Sequence, residues 1–505
     1  MSLISEQLRG VLRIDPAANA LEFEENWYSW GELADVIDQI HALFAQLGLG
    51  VDARIGVMLR SRPATLAAML ATLSADACLI SINPLFPDDR LIADIAQLRL
   101  PVVIALPTDL ARPGVREALE QAGSAVIELQ DGLGTAQFVP GFDTIAGSEI
   151  QYTEPGIIIE MLTSGTTGPP KRIPLQRRAL EKSFIGALSY EKNRKAEDPP
   201  TLRSGTMILS APMTHIGGLW GAITCVAGGR KACLLEKFNL PEWHGAIVRH
   251  RPKVAGGVPA MLRMILDANI PKEDLSSLIA LRTGAAPVDP ATVNEFWDRY
   301  GIPVLQNYGA TEFSGAVAGW SRDDFLAHRA TKISSVGRFQ LGIVGRVVDA
   351  ETGVALDPGE EGILEVKSEQ FGDGDHWLRT TDRASIDEDG FLYILGRADN
   401  AIMRGGFKVH PNDVIKAIEE HPSVREAVVV GMDDKRLGAV PVAAVILKAG
   451  ATAISPEEFH SFLRERLLPY QVPVQFRIVD DVPRTDSMKP ALMQIREMFA
   501  DPAHA

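Results

Sequence analysis

Three cysteines in 505 residues, Cys78, Cys225 and Cys233, are too few and too scattered for a disulfide framework. No CxxC pair or Cys/His cluster offers a zinc site, and the scarcity suits a reducing compartment. Basic side chains are not in excess either: 50 Lys and Arg stand against 65 Asp and Glu, a formal charge of -15. Such a chain lacks the clustered positive charge that nucleic acid or an anionic membrane requires, which leaves room only for a local basic pocket around a phosphate. No apolar run approaches the ~18 residues of a membrane span. The opening MSLISEQLRGVLRIDP mixes acid and base, unlike a secretory signal or a transit peptide. Internal repeats and low-complexity tracts are missing as well. These absences leave the expectation of a soluble, cytoplasmic globular protein that does not bind nucleic acid.

What is present is ordinary in bulk: 46% hydrophobic and 23% charged residues, enough to bury several cores over roughly two to four domains. Leu33, Ile37, Ile40 and Leu43 recur at helical spacing before Gly48 and Gly50. The stretches 53–60, 78–84 and 101–107 read as buried strands, and 63–77 and 90–98 as the helices between them. Strand and helix in alternation predict parallel strands with crossover helices, an α/β layered body. The pattern recurs at 206–212, 279–287 and 303–312. After about residue 335 the chain turns rich in β-formers, with Gly, Asp and Pro at the turns, as in a hairpin subdomain. From about Arg397 a compact α+β pattern begins, including a helix opened by Ser455, Pro456 and Glu458. The expected division is a large body over 1–397 and a small C-terminal domain over 398–505. The polar, proline-bearing stretch 189–205 reads as a surface loop.

One short segment carries chemistry. Between the strand-like 156–162 and 172–175 lies TSGTTGPPK. Gly165 and Gly168 let the backbone bend and turn its N–H groups outward; Thr163, Ser164, Thr166 and Thr167 add hydroxyl donors, and Lys171 adds charge. Such a loop suits an oxyanion, most obviously a phosphate. A solvent-exposed hairpin loop is the alternative. A P-loop of the GxxxxGK[ST] kind does not fit, because two prolines intervene and no Ser or Thr follows Lys171.

TSGTTGPPK resembles the phosphate-binding loop of the adenylate-forming (ANL) superfamily, which includes acyl- and aryl-CoA ligases, adenylation domains and luciferases. NYGATEFSG (307–315), the long block 379–414 and VPRTDSMKP (482–490) are similar to further motifs of that family, in its order and across nearly the whole chain. The weaker blocks 361–366, 82–91 and 284–287 also match. The resemblance implies a two-step reaction. A carboxylate attacks the α-phosphate of ATP to give acyl-AMP and pyrophosphate, and a thiol, normally that of coenzyme A, then displaces AMP.

It also implies roles. Thr163, Ser164, Gly165, Thr166, Thr167, Gly168 and Lys171 would hold the β- and γ-phosphates, Thr311 the α-phosphate, and Glu312 a magnesium ion. Asp382 would take the ribose hydroxyls with Arg397 nearby. Gly284, Ala285, Ala286, Pro287 and Tyr308, with Asn307 and Gly309 of the same block, would form the adenine slot. Lys489 would stabilise the adenylation transition state. Asp399 matches the hinge about which Arg404, Gly405 and Gly406 would replace the Lys489 face for thiol attack. His215, a catalytic and pocket residue in this reading, would stand between the acyl pocket and the thiol, beside Gly217, Gly218, Gly309, Ser314 and Gly315. Three positions depart from the family's pattern. Thr381 and Met488 stand where glycines are usual, and Pro490 where an apolar residue is common.

No acid near THIGGLWG would pair with an α-amine, which disfavours an amino-acid substrate. Small residues beside Trp220 suggest a roomy apolar pocket for an aromatic, cyclic or medium-chain acid. The expectation is an AMP-forming acid:CoA ligase, monomeric or homodimeric. The alternatives are an enzyme that loads a carrier protein, a luciferase-like oxidation, and a nucleotide-binding pseudoenzyme that holds ATP without releasing pyrophosphate.

Overall fold

The computed structural model describes residues 2–146, 151–162, 171–189, 198–371, 374–451, 454–485 and 488–500. The loop residues Thr163, Ser164, Gly165, Thr166, Thr167 and Gly168 lie outside that set, as does 190–197 of the stretch expected to be a surface loop at 189–205.

The expected alternation forms a seven-stranded sheet. Its order is Ala136–Phe138, Ala125–Leu129, Val102–Ala105, Arg54–Met58, Cys78–Ile82, Ile157–Leu162, Arg172–Gln176. The five inner strands are parallel and the two outermost antiparallel. Its inner strands are apolar on both faces because helices cover both. The helix Pro63–Ser74 is buried at every position, with Pro63 at its first turn. Truncating a leucine from such a core to alanine costs ~2–5 kcal/mol. The helix Trp30–Gln46 opens on a reciprocal cap between Ser29 and Glu32 and ends before Gly48 at φ 68°.

A four-stranded sheet runs Thr206–Leu209, Lys231–Leu234, Asn19–Phe23, Asn26–Ser29. A five-stranded one runs Val254–Gly257, Ala280–Thr283, Val304–Ala310, Gly315–Gly319, Arg338–Phe339. Thr206–Leu209 and Val254–Gly257 are edge strands of these two sheets and pack against each other without pairing. The hairpin-rich stretch forms an antiparallel sheet of Val344–Val348, Gly362–Lys367, Leu378–Ile386 and Leu392–Arg397.

Beyond it, Ile402–Arg404, Phe407–Val409, Val424–Asp434, Gly438–Leu447 and Gln475–Ile478 make a separate sheet. That sheet has its own apolar clusters, around Val414, Ile418 and Phe459 on one face and Val482, Ile495 and Phe499 on the other. The Ser455 hydroxyl accepts the Glu458 N–H at the start of the helix Pro456–Arg464. No helix among the described residues is long and apolar enough to cross a membrane.

Candidate active site

A cleft of about 1750 Å³ opens between the body and the C-terminal segment. Two carriers, a strand with its turn and a strand pair, supply part of its polar lining. The strand Val304–Ala310 ends in a 3-10 turn, Thr311–Phe313, so Asn307, Tyr308, Gly309, Thr311 and Glu312 follow one another along the wall. A Cβ on Gly309 would fall 2.3 Å from the Gly315 carbonyl, and one on Gly284 would fall 2.3 Å from Asn307 Oδ1. Gly309 is therefore required by close approach of backbone, while a side chain at Gly284 would displace the Asn307 amide. Gly284, Ala285, Ala286 and Pro287 line the cleft, and Ala285 holds the left-handed φ of 70°.

The second carrier is the antiparallel pair that sets Asp382 opposite Arg397. The Tyr308 hydroxyl donates to Asp382 Oδ2 at 2.5 Å. Burial raises the Asp382 carboxyl above the usual carboxylate range, while that hydrogen bond and the Arg397 charge pull the other way. Arg397 donates in a fork to Asp399, at 2.8 Å and 2.6 Å, which fixes its guanidinium against that carboxylate. The ion pair lowers the Asp399 carboxyl.

Lys489 enters from the C-terminal side on a tight turn. The Met488 N–H donates to the Thr485 carbonyl at 2.8 Å, the Thr485 N–H to the Lys489 carbonyl at 2.8 Å, and the Lys489 N–H to Thr485 Oγ1 at 3.3 Å. Burial, and then the charge on Arg397, lower the Lys489 ammonium below its ordinary value. His215 precedes the helix Ile216–Ala227 and is pushed down to about 4, first by burial and then by the Lys489 charge. Two cations, one of them the part-exposed Arg397, and a neutral imidazole thus share one space. An anion placed among them relieves their mutual repulsion. The Glu312 carboxylate lines the same cleft and has no hydrogen-bond or ion-pair partner among the described residues, and its hard oxygens suit a divalent cation such as magnesium.

Among the residues singled out from sequence, Lys171, His215, Gly217 and Gly218 also line the cleft. Gly218 is there for packing, since its Cβ would meet the Pro212 carbonyl at 2.2 Å. Ser314 and Gly315 do not line it: the chain turns left-handed at Ser314, φ 56°, and that residue is buried behind the wall. Arg404, Gly405 and Gly406 lie outside the cleft as well. Arg404 donates to the Tyr470 and Val472 carbonyls, at 2.8 Å and 3.1 Å, and Phe407 stacks on Tyr470. Sequence reasoning missed Thr283, Gly256, Ser334 and Val336. None of them carried a signal in local spacing; Thr283 adjoins Gly284, but what marks it is its buried hydroxyl.

A second cluster, Glu22, Cys233 and His250, brings possible metal ligands within 4.8 Å of one another. Arg249 already donates to Glu22 at 2.7 Å and His250 sits 2.7 Å from the other carboxylate oxygen. Burial pushes the Cys233 thiol up to about 12. A protonated thiol beside a guanidinium is a poor home for a cation, and the cluster reads as a buried ion pair.

The match to known proteins covers both parts of the chain. The model of the AMP-binding enzyme family matches residues 11–374, and that of the AMP-binding enzyme C-terminal domain matches 416–489. A 2-succinylbenzoate–CoA ligase of Bacillus cereus is 27% identical over 501 residues, 97% of each chain. ATP-bound MatB from Rhodopseudomonas palustris superposes with a TM-score of 0.81 at 23% identity, over 99% of this chain and 100% of that one. The o-succinylbenzoate CoA synthetase MenE from Bacillus subtilis, in complex with its acyl-adenylate intermediate OSB-AMP, gives 0.76 at 22% identity, over 97% and 98%.

Proposed function

The chain belongs to the AMP-binding enzyme family, and we propose from that premise that it is an AMP-forming carboxylic acid:CoA ligase. The observation that carries this reading is the meeting of Lys489 with Arg397, Glu312, Asp382 and His215 in one cleft. Joining a carboxylate to a polyphosphate concentrates negative charge, and the rate depends on cations and donors aimed where that charge develops.

In the first step a carboxylate oxygen of the acid bonds to the α-phosphorus of ATP and the bond to the bridging oxygen breaks, releasing pyrophosphate. Lys489 and Thr311 would meet the α-phosphate and Asp382 the ribose, and Tyr308, which donates to Asp382, would line the adenine slot. Thr163–Gly168, with Lys171, is assigned the β- and γ-phosphates. Glu312 would hold magnesium, which neutralises phosphate charge when bound. In the second step a thiol sulfur attacks the acyl carbonyl and AMP leaves. Coenzyme A is the proposed thiol, and the acid is apolar: aromatic, cyclic or medium-chain. The domain boundary is placed near residue 397, with Asp399 as the hinge on which Arg404, Gly405 and Gly406 would swing to the cleft.

The test is pyrophosphate release from ATP and magnesium across a panel of aryl, alicyclic and C2–C16 acids, with and without CoA. Release with some acid, raised by CoA as acyl-CoA accumulates, is expected. Release that CoA leaves unchanged points to a carrier-protein acceptor. ATP binding without release from any acid overturns the reading.

A further inference from the structure

The carboxylate assigned to magnesium has no side chain to steer it. Among the described residues Glu312 makes no hydrogen bond or ion pair. Its direction is therefore set by the backbone of the turn Thr311–Phe313 that carries it. That turn is three residues long, and the Ser314 N–H closes it on the Thr311 carbonyl at 2.9 Å. Ser314 does so at a left-handed φ of 56°, which a residue with a Cβ disfavours. A single 3-10 turn has poor hydrogen-bond geometry of its own, so aiming a carboxylate from it takes a contact from outside.

That contact comes from a segment outside the cleft. Gln370 Nε2 donates to the Phe313 carbonyl at 2.9 Å, one residue past Glu312, and the Phe371 ring packs on Phe313 with centroids 5.3 Å apart. Phe313 is 2% exposed, so water does not readily replace the amide at its carbonyl. Gln370 is itself held. Its N–H donates to Ser368 Oγ at 3.1 Å, and that hydroxyl donates to the Gly342 carbonyl at 3.0 Å. Glu369, between them, pairs with Lys182 on the helix Arg177–Ser189. The same helix brings Ser183 Oγ within 3.3 Å of where a Cβ on Gly315 would stand, and Gln370 Nε2 lies 3.8 Å from that point. Residues 368–371 thus touch the Glu312 turn on one side. On the other they touch the helix that follows Arg172–Gln176, the strand leaving the phosphate-binding loop.

We propose that Gln370 is a positioning residue for Glu312: its amide fixes the turn so that the carboxylate can meet magnesium bound with the polyphosphate. This role rests on the ligase reading, which gives Glu312 its metal, and adds what aims it. Gln370 does not line the cleft, so it acts on the metal only through the turn. Magnesium demands near-ideal octahedral geometry, and a small drift of the carboxylate is therefore felt at the ion.

The experiment titrates ATP calorimetrically into the wild type, Q370M, E312Q and the double variant, with magnesium present and with EDTA in its place. Methionine keeps the length and bulk of glutamine without its donor. In the wild type magnesium is expected to tighten ATP. In Q370M that tightening falls about fivefold, the weight of one hydrogen bond. ATP affinity in EDTA is kept, and the melting temperature drops by no more than a few degrees. E312Q loses the tightening and Q370M adds nothing to it, because two residues that act through one contact do not sum. E369Q, in the same segment but bonded elsewhere, tightens as the wild type does. A Q370M that weakens ATP equally with and without magnesium, or adds its full effect to E312Q, makes Gln370 merely structural and overturns the proposal. Magnesium that leaves wild-type affinity unchanged, or tightens E312Q as much as the wild type, overturns it too. Every one of these readouts is binding. Silence with all acids in the pyrophosphate assay, alongside the expected Q370M effect, keeps the positioning role and overturns the ligase.

Discussion

Of the turns with left-handed residues in the C-terminal segment, two invite comparison: the one at Met488 is in the cleft and the one at Gly405 and Gly406 is not. The turn around Met488 and Lys489 is inside, closed on Thr485 by three hydrogen bonds. The hairpin turn at Gly405 and Gly406, φ 58° and 91°, is outside, with Arg404 tied to the carbonyls of Tyr470 and Val472. One turn delivers an ammonium to a site already holding Arg397. The other offers bare backbone, of use where a narrow thiol arm has to pass. A single small domain that meets the body through one face at a time can serve two steps in sequence without the two turns competing for one space. That makes the pair a test of the proposed mechanism, since each turn is assigned to a different half-reaction.

The largest expected effect is at Lys489. Lys489→Ala is expected to lower adenylation by on the order of 10²–10³ in rate, the usual cost of a lost charge-stabilising donor. Thiolysis of supplied acyl-AMP should change little. Pyrophosphate release and AMP release from synthetic acyl-AMP, measured separately, check this; an equal fall in both would sink the assignment. Because burial and Arg397 lower the Lys489 ammonium, the adenylation rate should fall on the alkaline side at a pH below that of a free lysine. Gly406→Leu is the mirror experiment. A leucine forced to φ 91° costs ~1–2 kcal/mol in the hairpin and adds bulk where the thiol would pass. Acyl-AMP should accumulate while its transfer to CoA drops by roughly tenfold or more, and normal CoA turnover would remove this turn from the thiol path.

The next effect concerns how the two parts meet. Glu419, on the helix Pro411–Glu419, accepts the Ala427 N–H and faces the charges of Asp289, on the body, and Glu426. Burial first, and then those two carboxylates, raise its carboxyl to about 7 from an ordinary 4.5. The folded protein therefore holds a proton that the unfolded chain loses between those values, and stability falls as pH rises from about 4.5 to 7. Glu419→Gln is expected to remove that decline and to raise stability above neutral pH by on the order of 2 kcal/mol. Denaturant melts at pH 5 and pH 8 read it, and an unchanged difference between the two would show that Glu419 is not the titrating group.

Much of this was legible before the fold was known, for reasons visible in particular residues. The parallel sheet reads from apolar runs such as 101–107, because strands covered on both faces leave little else to write. The site reads from contiguous motifs: Asn307 through Glu312 lie on one strand and its turn, so sequence neighbours are site neighbours. Contiguity also misled. Ser314 and Gly315 continue that motif, but the chain turns left-handed at Ser314 and neither residue lines the cleft. The Asn19–Ser29 hairpin was not read at all, since its partner strand lies two hundred residues away, with Leu21 opposite Ala232. Thr283 was missed for a related reason. What marks it is a hydroxyl left without a partner, and a missing contact depends on three-dimensional surroundings that no local spacing records.

The smallest effect bears on the comparison of the two turns most directly. Met488 holds φ 62°, a conformation that the outer hairpin assigns to glycines and that costs a side-chain-bearing residue ~1–2 kcal/mol. Met488→Gly should relieve that strain and give back part of it, about 0.5–1 kcal/mol, through the greater freedom of glycine in the unfolded chain. The net change in stability is then a few tenths of a kcal/mol. Met488 also lines the cleft, and the kinetic consequence depends on what its side chain does there. If the strain resists placing Lys489, removing it should speed adenylation by a few-fold at unchanged acid KM. If the thioether instead packs against the bound acid, the acid KM should rise and cancel the gain. Either result leaves thiolysis untouched, because that step is assigned to the other turn. A change in thiolysis of supplied acyl-AMP equal to the change in adenylation would break the division of labour between the two turns.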